Sequence, residues 1–237
     1  RAWEAPNRTQ RVKLARQALD VSPDCADAYT LLAEENAKTP AEARAFYEQG
    51  VKAGERALGK EVFEEMVGHF WGVLETRPYM RARLGLAQAL WALGEHRQAA
   101  DHMHDMLRLN PGDNQGVRYL LATLLLHMGD DTALEKLLGQ YPDDWSANWK
   151  YTAALLAFRK EGRSERTNAL LQEAIQYNHF VPSFLLGRKK PPKQMPAFIS
   201  PGQESEAIDY VVDAVFPWQQ TLGARDWLKE ILAESQS

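Results

Sequence analysis

The chain has 237 residues, 45% of them hydrophobic and 25% charged, which suits one large domain, two small ones or a repeat array and excludes disorder as its main state. One cysteine, Cys25, rules out an internal disulfide and any paired-cysteine metal site, and no apolar run approaches the roughly 20 residues that span a bilayer. A net charge of −4 gives no bulk attraction to phosphate, so a cytoplasmic protein without membrane or nucleic-acid partners is the expectation.

The first residues, Arg1-Ala2-Trp3-Glu4-Ala5-Pro6, lack the apolar centre of a secretory signal, and a start on Arg rather than Met is what a piece of a longer protein would show. From Pro23 to about Gly54, Tyr29, Leu32 and Ala33 open one helix, Thr39-Pro40 starts a second, and Ala43, Tyr47 and Val51 carry its apolar stripe. The pattern breaks between Gly59 and Glu75. There Gly68-His69-Phe70-Trp71-Gly72 predicts a helix packed tightly on its neighbours, and Thr76-Arg77-Pro78 predicts a helix start with Pro at its first position.

From Met80 to Asp113 the residues Leu86, Ala87, Leu90, Gly94, Ala99, Met103, Met106, Leu107 and Pro111 take the small and apolar places of a tetratricopeptide-type helix-turn-helix unit of about 34 residues. Ala87 and Ala99 let two helices approach, the larger residues fill the seam, Gly94 ends the first helix and Pro111 closes the second. Asn114 to Tyr141 continues the array through Leu120, Leu121, Leu124, Gly129, Ala133, Leu137 and Leu138, its second helix cut short by Pro142. Trp145 to Asn178 gives the next pair, with Trp149, Ala153, Leu156 and Gly162 before Leu170, Leu171, Ala174 and Ile175.

Gly187 to Gly202 holds Arg188, Lys189, Lys190 and Lys193 among four prolines with no acidic residue, the composition of a solvated, exposed linker rather than of a patch for nucleic acid or anionic lipid. Beyond it, Glu204 to Phe216 and Gly223 to Leu232 read as a last amphipathic pair, Ile208, Val211, Val212 and Val215 facing Trp227, Leu228 and Ile231. Seven acidic residues against two basic ones from Gln203 to Ser237 suit a polar cap. The expected organisation is therefore a repeat array over residues 1–186, a basic Pro-rich linker over 187–202 and a capping helical pair over 203–237. The fold class is all-α, a tetratricopeptide-like right-handed superhelix, or α-solenoid, of about five to six helical pairs.

Tyr151-Thr152-Ala153-Ala154-Leu155-Leu156, Glu173-Ala174-Ile175, Asn178, Val181-Pro182, Leu185-Leu186, Lys189, Pro191, Ser205-Glu206-Ala207-Ile208, Trp218 and Gly223-Ala224 together resemble the C-terminal part of the suppression-of-tumorigenicity-seven family. Gly68-His69-Phe70-Trp71-Gly72 and Thr76-Arg77-Pro78-Tyr79-Met80 look like bacterial repeat proteins that share this half. Asn178-His179-Phe180 departs from the family's usual Asn-Pro-His, and the membrane-spanning segments of its animal members have no counterpart here. The resemblance implies a helical-repeat scaffold without an established catalytic site.

Catalytic and cofactor signatures are sparse. Gly59-Lys60-Glu61 lacks the glycine spacing and hydroxyl of a phosphate cradle, and no nucleophile elbow or His-Glu-x-x-His pair occurs. Glu65 with His69, four apart on an expected helix face, and His102 with His104 lack further metal ligands, and Cys25 has no evident His partner. No catalytic residue, metal or cofactor is expected. The array's surface remains. First helices of such pairs line the concave side, presenting Arg81, Leu84, Gln88 and Trp91, then Gln115, Arg118, Ala122 and Leu125, then Lys150 and Tyr151. The cations Arg81, Arg118 and Lys150 form a candidate ladder beside Gln88, Gln115 and the aromatic Trp91 and Tyr151, suited to an acidic peptide or a free carboxyl terminus. The Lys/Asn pattern of chaperone-tail clamps is absent, since Leu84 and Gln88 stand at its places. The other tryptophans are expected in the packing. The functional expectation is a non-catalytic scaffold binding a protein segment, with self-association through its ends compatible. The alternatives are a helical-repeat nucleic-acid binder and an enzyme subunit using Glu65 and His69.

Overall fold

The computed structural model describes residues 2–234. Among them it is all-helical, with twelve α-helices, two single-turn 3-10 helices and no strand. The chain divides into two compact units between Leu121 and Ala122, within helix α6 (Val117–Met128).

The first unit begins with α1 (Arg8–Val21), capped by the Asn7 side chain accepting from the Gln10 amide, and α2 (Ala26–Asn36). Ala15 of α1 packs with Ala28, Leu31 and Leu32 of α2. The sequence pattern passed over α1, whose one fully buried residue is Ala15. Helix α3 (Pro40–Glu65) starts as expected, Pro40 in its first turn and the Thr39 hydroxyl accepting from the Glu42 amide. It breaks at Gly59, where φ is 72° and ψ 170°, backbone angles that favour glycine. Helix α4 (Arg77–Ala92) lies so close to α3 that a Cβ built on Gly54 would stand 2.8 Å from Cβ of Tyr79. Gly94, at φ 81°, ends α4, and α5 (His96–Leu109) returns with Ala99, Met103, Met106 and Leu107 buried.

Gly68 to Gly72 corrects one expectation. It is a turn followed by a single 3-10 turn over Phe70–Gly72, because Gly68 sits at φ 90° with its amide donating to the Leu109 carbonyl. Phe70 is nevertheless fully buried, against Phe63 and Tyr79. The Thr76 hydroxyl donates to the Phe70 and Val73 carbonyls, closing the turns that lead into α4, where Arg77 precedes Pro78.

The second unit takes the rest of α6 and then α7 (Asp131–Gln140), α8 (Ala147–Glu161), α9 (Glu165–Tyr177), α10 (Val181–Leu185), α11 (Glu204–Gln220) and α12 (Ala224–Glu234). Asp130 and Ser146 cap α7 and α8, and Ser164 with Thr167 forms a reciprocal box at the start of α9. The short α10 is buried through Val181, Pro182, Phe184 and Leu185. Residues 187–202 carry no helix. Tyr151, Tyr210, Trp218, Trp227 and Phe158 form an aromatic core.

Helix α11 runs four residues past its expected end and carries Pro217 inside it. Proline has no amide proton for the Asp213 carbonyl one turn back. His127 Nε2 donates to that carbonyl instead, at 2.9 Å, and its ring stacks on Phe216.

Candidate partner-binding surface

In the first unit, α2 and α4 are the first helices of consecutive pairs. Leu32-Ala33 and Leu86-Ala87 hold equivalent places, which puts Asp27 level with Arg81 and Glu34 level with Gln88. The structure joins the first of these pairs. Arg81 Nε donates to Asp27 Oδ1 at 2.9 Å and a terminal nitrogen to Oδ2 at 2.7 Å, a bidentate fork. Arg81 is thus a bridge between repeats and not the free groove cation that the sequence suggested.

Two turns along α2, burial raises the Glu34 carboxyl above its ordinary range, as do Glu35 and Asp27, against the opposing pull of Arg81. Burial first, and Glu34 second, push the Tyr47 hydroxyl up to about 12. On α4, Gln88 is exposed and Trp91 partly buried. This face therefore offers a carboxylate, an amide and an indole beside a neutralised ion pair. Asp27 and Glu34 were missed as site residues, although the alignment of Leu32-Ala33 on Leu86-Ala87 was the signal that locates them.

The start of α6 tells a similar story. The buried Asp113 carboxylate accepts the amides of Val117 at 2.7 Å and Arg118 at 3.0 Å, capping the helix. The Arg118 guanidinium balances that carboxylate at 3.0 Å, donates to the Tyr119 hydroxyl and lies over the Tyr119 ring. Burial pushes the Asp113 carboxyl up, against the pull of these donors. Gln115 is partly buried, and its Oε1 has no hydrogen-bond partner among the described residues.

In the second unit Lys150 pairs with Glu173 and sits over the rings of Trp145 and Tyr177, its side chain mostly covered. Tyr151 is a correction. It is fully buried, its hydroxyl donating to the Asn178 carbonyl at 2.8 Å and its ring packed on Tyr210 and Trp218. Neighbours in a helix diverge by about 100°, so Lys150 and Tyr151 cannot line one surface. Ala122 and Leu125 are likewise buried. All three expected cations are therefore engaged by carboxylates, Arg81 and Arg118 within the first unit and Lys150 within the second.

The motif residues converge on a buried clasp instead. Glu206 Oε1 accepts the Ala147 amide at 3.0 Å, and Oε2 accepts the Gly202 amide at 2.7 Å and Asn178 Nδ2 at 3.1 Å. One carboxylate thereby holds the start of α8, the end of α9 and the turn before α11.

Glu65 and His69 do not share a helix face, since α3 ends at Glu65 and both side chains are exposed. His102 Nδ1 accepts from Arg83 Nε at 3.3 Å, and burial, with Arg83 next, lowers its pKa. No group of three or more His, Cys, Asp or Glu among the described residues is placed to hold a metal. Trp149, Trp218 and Trp227 are buried as expected, whereas Trp3 and Trp145 are exposed.

A family described as "ST7 protein" matches residues 1–235. The suppressor of tumorigenicity 7 protein-like of Rattus norvegicus is 30% identical over 254 aligned positions, covering 97% of this chain and 45% of the relative. The ST7 homolog of Drosophila melanogaster is 29% identical over 255 positions, covering 96% of this chain and 46% of the relative. The chain thus spans about half the length of these relatives. Among solved structures YrrB, described as a TPR protein with an unusual peptide-binding site, aligns with TM-score 0.51 at 19% identity over 71% of this chain and 77% of its own. The fold is accordingly that of tetratricopeptide-like helical pairs. No described helix is long and apolar enough to cross a membrane.

Proposed function

The chain belongs to the ST7 protein family, and on that footing we propose that it is a non-catalytic scaffold that binds a protein segment on the α2–α4 face of its first unit. The observation that carries the reading is the arrangement of Glu34, Gln88 and Trp91 beside the closed Asp27–Arg81 pair. The amide supplies backbone hydrogen bonds to an extended segment, and the indole supplies apolar burial. The solved tetratricopeptide neighbour, a TPR protein with an unusual peptide-binding site, supports a peptide ligand for this fold.

Engagement of Arg81 by Asp27 moves the expected chemistry of the ligand. With that guanidinium neutralised and Glu34 beside it, the face suits a segment with a basic side chain better than an acidic one. The test is affinity capture from native extract with the wild-type chain and a Glu34→Lys, Gln88→Glu variant, followed by mass spectrometry. A protein retained by the wild type and lost from the folded variant supports the reading. Identical retention by both baits refutes it.

A further inference from the structure

The segment 187–202 of the second unit is pinned at both ends and open between them. The amides of Arg188 and Lys189 both donate to the Ser183 carbonyl, at 2.9 and 3.0 Å. At the far end the Ser200 amide donates to Ser205 Oγ at 2.9 Å and the Gly202 amide to Glu206 Oε2 at 2.7 Å. Among the described residues, the backbone from Lys190 to Ile199 makes no hydrogen bond to other backbone. Pro191, Pro192 and Pro196 keep it out of helices and ladders.

Its side chains are unusual for a solvated linker. Phe198 is 84% exposed, and Met195 and Ile199 stand exposed beside it. Among the described residues, Arg188, Lys190 and Lys193 precede them without a salt bridge, Lys189 pairs with Glu204, and no carboxylate occurs in the sequence from Gly187 to Gln203. A composition-only reading gives a spacer. A spacer has no use for a phenylalanine and an isoleucine held in water, whereas cations followed by large apolar side chains match an anionic bilayer. The cations meet the headgroups and the apolar residues enter the acyl boundary.

We propose that residues 188–199 form an arm that docks this unit peripherally on anionic lipid. Two features favour a bilayer over a protein groove. The proline spacing contains no Pro-x-x-Pro pair of the kind that polyproline receptors read. A fluid bilayer also accepts three apolar side chains on an irregular backbone without needing them on one face.

The experiment is vesicle co-sedimentation with the full chain, on phosphatidylcholine alone and on phosphatidylcholine with about a third phosphatidylserine. The arm predicts binding to the mixed vesicles that weakens with salt, and little to the neutral ones. A Lys190→Glu, Lys193→Glu variant and a Phe198→Ser, Ile199→Ser variant should each bind at least about tenfold more weakly with unchanged helicity. Absence of wild-type binding to anionic vesicles overturns the proposal, as does equal binding to neutral ones. If the charge variant loses binding and the apolar variant keeps it, the segment is a general polyanion contact, and the bilayer assignment falls.

Discussion

Arg81 and Asp27 hold equivalent places in two consecutive repeat units, 54 residues apart, and the structure closes them into a two-pronged ion pair. Such a bridge between first helices reads out the repeat register directly. Reversing Arg81 alone, as Arg81→Glu, sets it against Asp27 and Glu34 and should cost about 1–2 kcal/mol, more than the usual worth of a half-exposed pair. The swap Asp27→Arg, Arg81→Asp should restore most of it. Urea titrations of the three chains check this, and a swap no better than the single reversal would separate the two positions.

The His127 donor to the Asp213 carbonyl stands in for the amide that Pro217 lacks. His127→Ala should destabilise the second unit by about 1–2 kcal/mol, because a helix carbonyl loses its partner and Phe216 its stacked ring. In a Pro217→Ala background, where the residue 217 amide can serve Asp213, the same change should cost less. A double-mutant cycle reads the coupling, and strict additivity of the two changes would refute the substitution of one donor for the other.

Glycine in a helix interior is usually improved by alanine. Gly54 should behave oppositely, since the new Cβ would meet Cβ of Tyr79 at 2.8 Å and its Cα at 3.1 Å, atoms that move only with the backbone of α4. Gly54→Ala should therefore lose about 1–3 kcal/mol by thermal or urea unfolding. A stabilised variant would mean that α3 and α4 pack further apart.

His102 provides a pH test. Its folded pKa lies below the ordinary 6.5, through burial first and the Arg83 charge second, with Asp101, Asp105 and Glu48 opposing. The unfolded chain thus binds the proton more readily, so the contribution is fully present above about 6.5 and is lost as the pH falls from there through the folded pKa. His102→Asn, which keeps an acceptor for Arg83 and cannot titrate, should flatten that part of the stability profile. An NMR titration of the native imidazole with a midpoint above 6.5 would contradict this prediction.

Much of the architecture was legible because repeat packing restricts residue types tightly. Ala87 and Ala99 are fully buried, Gly94 takes a positive φ, and Thr39-Pro40 lies at a helix start. What the sequence hid depended on neighbours. Helix α1 has a weak apolar stripe and is defined by what packs over Ala15, while Gly68 to Gly72 is decided by an amide reaching Leu109. The candidate surface was half legible. The inward places of α4 could be named, but whether Arg81 was free depended on the side chain one repeat earlier, and burial removed Tyr151 by rotation about its own helix axis.

The aromatic core of the second unit has a practical consequence. The indoles of Trp218 and Trp227 lie 6.3 Å apart and only 13° from parallel, with the Phe158 ring 4.4 Å from Trp227. Chromophores held so close and in fixed orientation couple their electronic transitions, which gives a near-ultraviolet circular dichroism signal that disappears once rigid packing is lost. The chain thus carries a built-in optical marker for one of its two units, so melting of that unit can be followed without adding a label.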